Sequence, residues 1–196
     1  MTVLIGLTGS IGMGKTSTAA LFQQEGCALW DADASVHRLY ALGGAAVAPM
    51  AQAFPNAVSG GVVNRARLKE IIGKDPSALK QIETVVHPLV AQDRADFIAR
   101  HKDSIVVLDM PLLFETGAAA TVNAIVVVSV DATTQRLRVL ERGTMTEQQF
   151  ESILAKQMPD AEKRAKADYI VITDSAEHAA EQVKAIVADI KDRLHA

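Results

Sequence analysis

Cysteine is almost absent from the chain, since Cys27 is the single one among 196 residues. One cysteine excludes an internal disulfide and a cysteine-cluster metal site. Cys27 lies in an apolar stretch, which predicts a small buried residue. Aromatic residues make up only 4% of the sequence, so aliphatic side chains must supply most of the core, for which a hydrophobic content of 49% is ample.

Long apolar runs and an excess of positive charge are also missing. No run approaches the roughly 18 residues of a membrane span, and residues 1–7 show neither a basic leader nor a cleavage site. A net charge of −3 argues against a general nucleic-acid or membrane-surface binder. We therefore expect a cytoplasmic protein with no nucleic-acid or membrane partner, while its oligomeric state stays open.

Five short aliphatic runs stand out, at residues 3–7, 27–30, 105–108, 124–130 and 169–172. Continuous apolar runs suit strands that are covered on both faces, as in a parallel sheet. Helical stretches separate the runs, which favours βαβ crossovers. The pattern predicts an α/β fold with a five-stranded parallel sheet and helices on both faces.

Start and stop signals support several helices. Residues 15–25 are helical in character and stop at Gly26. Asp131 can cap the next helix, and Thr146 with Gln149 fits a capping box for a helix running to about residue 158, before Pro159. The apolar stripe of the last helix consists of Val183, Ile186, Val187, Ile190 and Leu194.

Two segments are longer than crossover helices require. We predict a single domain over residues 1–196, with a helical insertion at about 45–100 and a polar, charged insertion at about 140–166. Within the first insertion, His87-Pro88 by itself predicts a helix end, because proline disfavours helix at the preceding residue.

The strongest functional signal follows the first strand directly. It is the glycine-rich loop Gly9, Ser10, Ile11, Gly12, Met13, Gly14, Lys15 and Thr16. Glycines let successive N–H groups turn inward onto a phosphate chain, and the following helix adds its positive N-terminal end. Lys15 would reach the β- and γ-phosphates of a bound nucleotide, and the Thr16 hydroxyl would ligate Mg²⁺. The chain lacks the Asn-Lys-x-Asp sequence of GTPases, so a small-molecule kinase is favoured.

Three carboxylates follow strands of the predicted sheet. If the second strand neighbours the first, Asp33 lies beside the phosphate loop and can orient an attacking hydroxyl; alternatively it caps a helix beginning at residue 34. Asp31 competes for either role. Asp109 ends the third strand, where it either acts on Mg²⁺ or substrate or is a solvated strand end.

At this point the chain resembles the dephospho-coenzyme A kinase family over nearly its whole length. The resemblance rests on residues 6–16, Asp31-Ala32-Asp33, Arg65 and Leu68, residues 82–88, residues 109–115, Asp131 with Gln135, Arg138 and Arg142, then Gln157, and finally Ala167-Asp168-Tyr169. It implies a P-loop NTPase fold with a helical substrate domain and a lid. The implied reaction transfers a phosphoryl group from ATP to the ribose 3′-hydroxyl of dephospho-coenzyme A, giving ADP and coenzyme A.

The resemblance also implies roles for individual residues. Asp33 would be the catalytic base, beside Lys15 and Arg142, and Thr173 would lie at the ATP site where the family tends to carry asparagine. The residues that would bind or surround the acceptor are Asp31, Arg65, His87, Asp109, Leu112, Leu113, Phe114 and Glu115.

Plainer interpretations of these residues stay open. Leu112, Leu113 and Phe114 are either core or substrate wall, and Glu115 either lines a pocket or pairs with a base. Arg138 and Arg142 share a helix face as i, i+4 neighbours, and Arg138 is either a lid residue or solvated. The basic residues Lys156, Lys163, Arg164 and Lys166 are expected to be solvated or to aid the attraction of phosphate in general. The alternative functions are a P-loop kinase of another small alcohol or nucleotide, and a non-catalytic nucleotide-binding switch.

Overall fold

The computed structural model describes residues 2–195, with the side chains of Leu194 and His195 outside the described part. It divides the chain into two compact units: one runs up to Trp30 and resumes at His101, and the other comprises Asp31–Arg100. Among residues 2–195, no helix combines the length and apolarity that a membrane crossing needs.

The elements are numbered along the chain. The strands are β1 (Val3–Thr8), β2 (Ala28–Asp31), β3 (Val58–Ser59), β4 (Val62–Val63), β5 (Ile105–Asp109), β6 (Ala124–Ser129) and β7 (Tyr169–Ile172). The helices are α1 (Lys15–Gln24), α2 (Ala32–Tyr40), α3 (Val47–Ala53), α4 (Arg65–Lys74), α5 (Ser77–Arg100), α6 (Ala132–Glu141), α7 (Glu147–Leu154), α8 (Asp160–Ala165) and α9 (Ala176–His195).

The first unit is built on the five-stranded sheet β2-β5-β1-β6-β7. β1 runs parallel to β5 on one side and to β6 on the other, and β6 runs parallel to β7. The predicted α/β fold with a parallel sheet is confirmed. The first two strands are not neighbours, however, because β5 lies between them.

Aliphatic side chains fill the core of this unit, as the scarcity of aromatics predicts. Sheet residues pack against α1 and α9, with Phe22 and Val183 among the fully buried side chains. The predicted stripe on α9 is buried at Val183, Ile186, Val187 and Ile190. Cys27 is buried in the same core as predicted, and this burial raises the pKa of its thiol to about 11, which keeps it protonated.

The second unit is helical, with a short antiparallel hairpin of β3 and β4. Its separate core gathers α2, α3, α4 and the first half of α5, with Met50 fully buried. The predicted helix end at His87-Pro88 is wrong, because α5 continues through Pro88 to Arg100. Ile82 and Val86 before the proline and Val90 after it pack on one cluster, so tertiary packing outweighs the local cost of the missing N–H.

The predicted capping box of α7 is present, with both hydrogen bonds between Thr146 and Gln149. The helix ends at Leu154 rather than near residue 158. The reason is tertiary, since the Gln157 amide oxygen accepts a hydrogen bond from Ile11 N–H and Met158 N–H donates to Glu115. These bonds draw the chain out of the helix.

Candidate active site

The phosphate loop connects β1, the central strand of the sheet, to α1. Gly14 precedes the helix at a φ of +91°, and no side chain caps the helix start. The first N–H groups of α1 have no carbonyl of the helix to bond. The helix start is therefore open to an anionic ligand, and Thr16 presents an exposed side chain in the first turn.

Lys15 forms an ion pair with Asp109 at the end of β5. The Asp109 side chain is only 4% exposed, so the alternative of a solvated strand end is wrong. Parallel pairing aligns β5 with β1, with Leu7 opposite Asp109, and this brings the carboxylate to the loop. An ammonium has three N–H donors, so Lys15 can remain hydrogen-bonded to Asp109 and still donate to a phosphate.

The far side of the loop is held by Met13 and Thr173. The Met13 side chain belongs to the core, and its sulfur accepts the N–H of Val130 at 3.2 Å. The buried Thr173 hydroxyl donates to the Met13 carbonyl at 2.8 Å. The Met13 N–H donates to the Ser10 carbonyl at 3.2 Å, so the backbone of Met13 is also engaged within the protein. Thr173 supports the loop from the residue that follows β7.

Gly12 lies in the left-handed region at a φ of +81°, close against α6. A Cβ added there would lie 2.5 Å from Cγ2 of Val139 and 2.9 Å from the carbonyl oxygen of Gln135. We expect Gly12→Ala to cost about 3 kcal/mol in urea unfolding, from backbone strain and overpacking together. Gly26→Ala is the matched control, because Gly26 has a φ of +86° and open space around it. Equal losses in the two variants would contradict the close packing at Gly12.

A cavity of about 580 Å³ opens beside the loop. It is lined by Gly14 and the outward face of α1, by the C-terminal end of α6 and by the turn between β7 and α9. Arg138, Arg142 and Thr173 all line it, so the structure brings these three predicted residues together. Its volume lies in the range of small-ligand sites.

The two arginines on this wall differ in what they contact. Arg138 donates to the Thr173 hydroxyl at 2.9 Å and to the Thr173 carbonyl at 2.6 Å, so it is anchored rather than solvated. Arg142 is exposed at the end of α6 and has no hydrogen bond or ion pair within residues 2–195. Arg142 is therefore the arginine whose charge is available to a ligand.

The segment after β5 divides between core and surface. Leu113 is fully buried, Phe114 is half-buried and Leu112 is 45% exposed, so only Leu113 is plainly a core residue. Glu115 accepts the N–H of Met158 at 2.8 Å and pairs with Lys163 at 3.1 Å.

Lys163 contradicts the expectation of a solvated lysine, because its side chain is 0% exposed. It lies on the short helix α8, whose first residue, Asp160, accepts a hydrogen bond from the Ser129 hydroxyl at 2.7 Å. Burial by itself raises the pKa of the Glu115 carboxyl, but the Met158 N–H and the Lys163 ammonium outweigh it and hold that pKa below its usual range.

We expect Glu115→Gln to cost about 3 kcal/mol of unfolding free energy at pH 7, because it leaves a buried ammonium without its counter-charge. The low folded pKa gives the sign of the pH dependence. The stabilisation by the ionised Glu115 carboxylate is complete above the pKa of glutamate in the unfolded chain, about 4.3. It is lost as the pH falls through the lower pKa of the folded protein. Chemical unfolding of the wild-type and Glu115→Gln proteins between pH 7 and pH 3 measures the difference in their free energies of unfolding. Glu162→Gln is the control, because Glu162 is an exposed carboxylate next to Lys163 on α8. A difference in unfolding free energy that stays constant over this pH range would contradict the Glu115–Lys163 ion pair.

Four predicted residues belong to the second unit, or begin it. Asp31 is the N-cap of α2 and accepts the N–H of Ala34 at 2.9 Å, so the alternative role of Asp33 as a cap is wrong. Asp33 is exposed in the first turn, without a hydrogen bond or ion pair in the described residues. Arg65, at the start of α4, lies 5.7 Å from the centre of the Tyr40 ring, and His87 is exposed on α5.

Sequence reasoning assigned no role to two glutamines that contact the phosphate loop. The Gln135 side-chain N–H donates to the Ile11 carbonyl at 2.7 Å, and the Gln157 side-chain oxygen accepts the Ile11 N–H at 3.1 Å. The available signal for Gln135 was its position four residues before Val139 on the inward face of α6, where a buried polar side chain requires a partner.

A phosphate loop between a central parallel strand and a helix, with its lysine beside a strand-end carboxylate, is the arrangement of P-loop NTPases, the class that includes the P-loop kinases. A family model described as dephospho-CoA kinase matches residues 3–179. The chain belongs to the dephospho-CoA kinase family.

Individual relatives agree with this assignment. A dephospho-CoA kinase of Ruegeria pomeroyi is 57% identical, with full coverage of both chains. The crystal structure of TT1252 from Thermus thermophilus superposes with a TM-score of 0.84 at 31% identity, covering 96% of this chain and 97% of that one. A dephospho-CoA kinase from Campylobacter jejuni shares the fold, with a TM-score of 0.68 at 18% identity and coverage of 96% and 97%.

Proposed function

We propose that this protein transfers the γ-phosphoryl group of ATP to the ribose 3′-hydroxyl of dephospho-coenzyme A, giving ADP and coenzyme A. The observation that carries the proposal is the Lys15–Asp109 pair beside the phosphate loop, in a chain that matches the family over its full length. The net charge of −3 supports an enzyme that acts on a small molecule rather than on nucleic acid.

The phosphate loop and the adjoining cavity form the ATP half of the proposed site. The triphosphate lies along Gly9 to Thr16, where backbone N–H groups and the start of α1 meet its negative charge. The nucleoside occupies the cavity beyond Gly14, against Thr173. Lys15 donates to the β- and γ-phosphates, and Arg142 stabilises the charge that develops on the transferring group.

The residues at the loop also fit Mg²⁺. Thr16 offers an exposed hydroxyl and Asp109 a carboxylate, and oxygen ligands of this kind suit a small hard cation. Mg²⁺ usually keeps several waters and binds through one or two protein oxygens together with the substrate phosphates, so these two side chains would be enough from the protein. Thr16 would ligate the ion directly and Asp109 through water. When bound, Mg²⁺ neutralises charge on the phosphate oxygens.

Asp33 is the proposed catalytic base. Phosphoryl transfer proceeds through a loose transition state, so the base orients the attacking hydroxyl and accepts its proton late. Asp33 suits this task because it is an exposed carboxylate with no competing bond in the described residues, while Asp31 has taken the capping role. The proton of the 3′-hydroxyl passes to the Asp33 carboxylate as the new P–O bond forms and the bond to ADP breaks.

We further propose that the Asp31–Arg100 unit binds the acceptor and that residues 140–166 act as a lid. Arg65 and His87 present polar side chains to solvent on the helices of that unit. In the other unit, Leu112 and Phe114 retain exposed apolar surface, which could contact an organic acceptor. Glu115, in contrast, is engaged with Lys163 and Met158, so its proposed role is to hold the segment after β5.

An acceptor comparison tests this proposal. The purified protein is supplied with Mg·ATP and, in separate reactions, dephospho-coenzyme A, adenosine, AMP, shikimate or gluconate, and the products are analysed by mass and by ³¹P NMR. We expect phosphorylation of dephospho-coenzyme A at the 3′ position and at least 100-fold lower kcat/KM for the other alcohols. Turnover of another acceptor but not of dephospho-coenzyme A would overturn the acceptor assignment, and no turnover at all would favour a nucleotide-binding switch.

A further inference from the structure

The two glutamines on Ile11 hold both backbone polar groups of one residue in the phosphate loop. The Ile11 N–H donates to Gln157 and the Ile11 carbonyl accepts from Gln135. Within residues 2–195, neither group forms a hydrogen bond with the backbone. These bonds come from two distant parts of the chain, α6 and the segment after α7. They fix the orientation of two successive peptide planes in the first half of the loop.

Gln135 is placed rigidly for this role. Gln135 is only 4% exposed. The start of α6 is fixed by Asp131, whose side chain accepts a hydrogen bond from the Thr134 N–H. Gly12 packs directly against the Gln135 carbonyl and Val139, so the loop and α6 are in close contact at this point. A side chain held in this way loses little entropy when it bonds the loop.

Gln157 is placed by its neighbour in the chain. Met158 N–H donates to Glu115, and Glu115 pairs with the fully buried Lys163 of α8. At the start of α8, Asp160 bonds the Ser129 hydroxyl of β6. The Gln157 side chain therefore extends from a segment that is bonded to Glu115, after β5, and to Ser129 of β6, and it reaches the Ile11 N–H at 3.1 Å.

The amide is the side chain that suits both positions. Gln135 must donate to a carbonyl, which a carboxylate cannot do, and Gln157 must accept from an N–H close to a strongly anionic ligand. A neutral amide oxygen accepts this bond without adding negative charge beside a triphosphate.

We propose that Gln135 and Gln157 are positioning residues that pre-organise the phosphate loop for a nucleoside triphosphate. By fixing the peptide planes at Ile11, they hold the following N–H groups of the loop in convergence before the ligand arrives. Binding then requires less ordering of the backbone. The inference rests on the proposed function only in requiring that a nucleotide binds the loop, and it does not depend on which acceptor is used.

The primary test is Gln157→Met, since Gln157 is half-buried and methionine preserves its length without an oxygen acceptor. Gln24→Met is the matched control, because Gln24 is exposed at the end of α1 and its side chain has no hydrogen bond in the described residues. Kd for Mg·ADP is measured by calorimetry, the Michaelis constants for both substrates by steady-state kinetics, and stability by urea unfolding. We expect Gln157→Met to weaken ADP binding and to lower kcat/KM for ATP, each by about 10-fold, as loss of one hydrogen bond predicts.

The pattern of changes separates positioning from a merely structural role. The KM for dephospho-coenzyme A and the unfolding midpoint of Gln157→Met should match those of Gln24→Met. Combining Gln157→Met with Gln135→Met should weaken ADP binding by less than the product of the two single effects. An ADP affinity equal to that of the control would overturn the proposal, as would a uniform loss for both substrates that follows a lower midpoint. Because ADP binding is read directly, failure of the acceptor assignment leaves this test intact.

Discussion

Asp33→Asn is expected to lower kcat with dephospho-coenzyme A by about 10²- to 10⁴-fold, the contribution that a positioned base makes to proton transfer. ATP affinity should change by less than about twofold, because the phosphate loop and the cavity beside it lie in the other unit of the chain. Asn has nearly the size of Asp and can still hydrogen-bond a hydroxyl, so the substitution removes the proton acceptor and little else. Steady-state kinetics and nucleotide titration measure the two quantities.

A loss of activity in Asp33→Asn would reflect the catalytic step rather than a loss of folding. Asp31 caps α2 and Asp33 has no bond to lose in the described residues, so stability should be unchanged. Glu70→Gln is a suitable control, since it removes an exposed carboxylate from α4 in the same unit. An Asp33→Asn protein with the kcat of this control would exclude Asp33 as the base.

Lys15→Ala is expected to reduce kcat/KM by about 10³-fold, because it removes a charged donor from the group being transferred. It should also lower stability by about 3 kcal/mol, since the nearly buried Asp109 carboxylate loses the Lys15 ammonium. The two losses have different origins and can be measured separately, by kinetics and by urea unfolding.

The double variant Lys15→Ala with Asp109→Asn separates these origins. It should regain most of the stability, because the nearly buried negative charge of Asp109 is removed together with the Lys15 ammonium. Activity should stay as low as in the single variant. Lys69→Ala on the surface of α4 is the control for removal of a lysine. Recovery of activity together with stability would show that Lys15 acts through folding alone and would remove it from the catalytic site.

The sheet could be predicted from sequence because its signal is local. Strands such as β5 and β6 are continuous aliphatic runs, which only a sheet covered on both faces buries fully. The strand order could not be predicted in this way. β5 lies between β1 and β2 although about seventy residues separate it from β2 along the chain, and pairing between distant strands leaves no local pattern.

The long helix α5 shows where a local rule fails. Proline removes one hydrogen bond and disfavours helix before it, so His87-Pro88 predicts an end. The helix continues because Ile82, Val86 and Val90 pack on one shared core on both sides of Pro88. The gain from burying these side chains depends on the rest of the unit and cannot be read from the dipeptide.

The phosphate loop could be predicted because its chemistry is contained in eight consecutive residues. The contacts that hold the loop in place could not be predicted, since each of them joins segments that are distant along the chain. Lys163 was expected in solvent, and its burial against Glu115 depends on the position that α8 takes over β6. The same holds for Gln157, whose bond to Ile11 spans 146 residues.

The central claim is that this phosphate loop serves a kinase whose acceptor is dephospho-coenzyme A. The most direct measurement is ADP release from Mg·ATP in a coupled assay as dephospho-coenzyme A is increased. The account predicts release that depends on the acceptor, saturates, and reaches about 1–100 s⁻¹, the range of kinases. A rate of ADP release that is the same with and without dephospho-coenzyme A would contradict it.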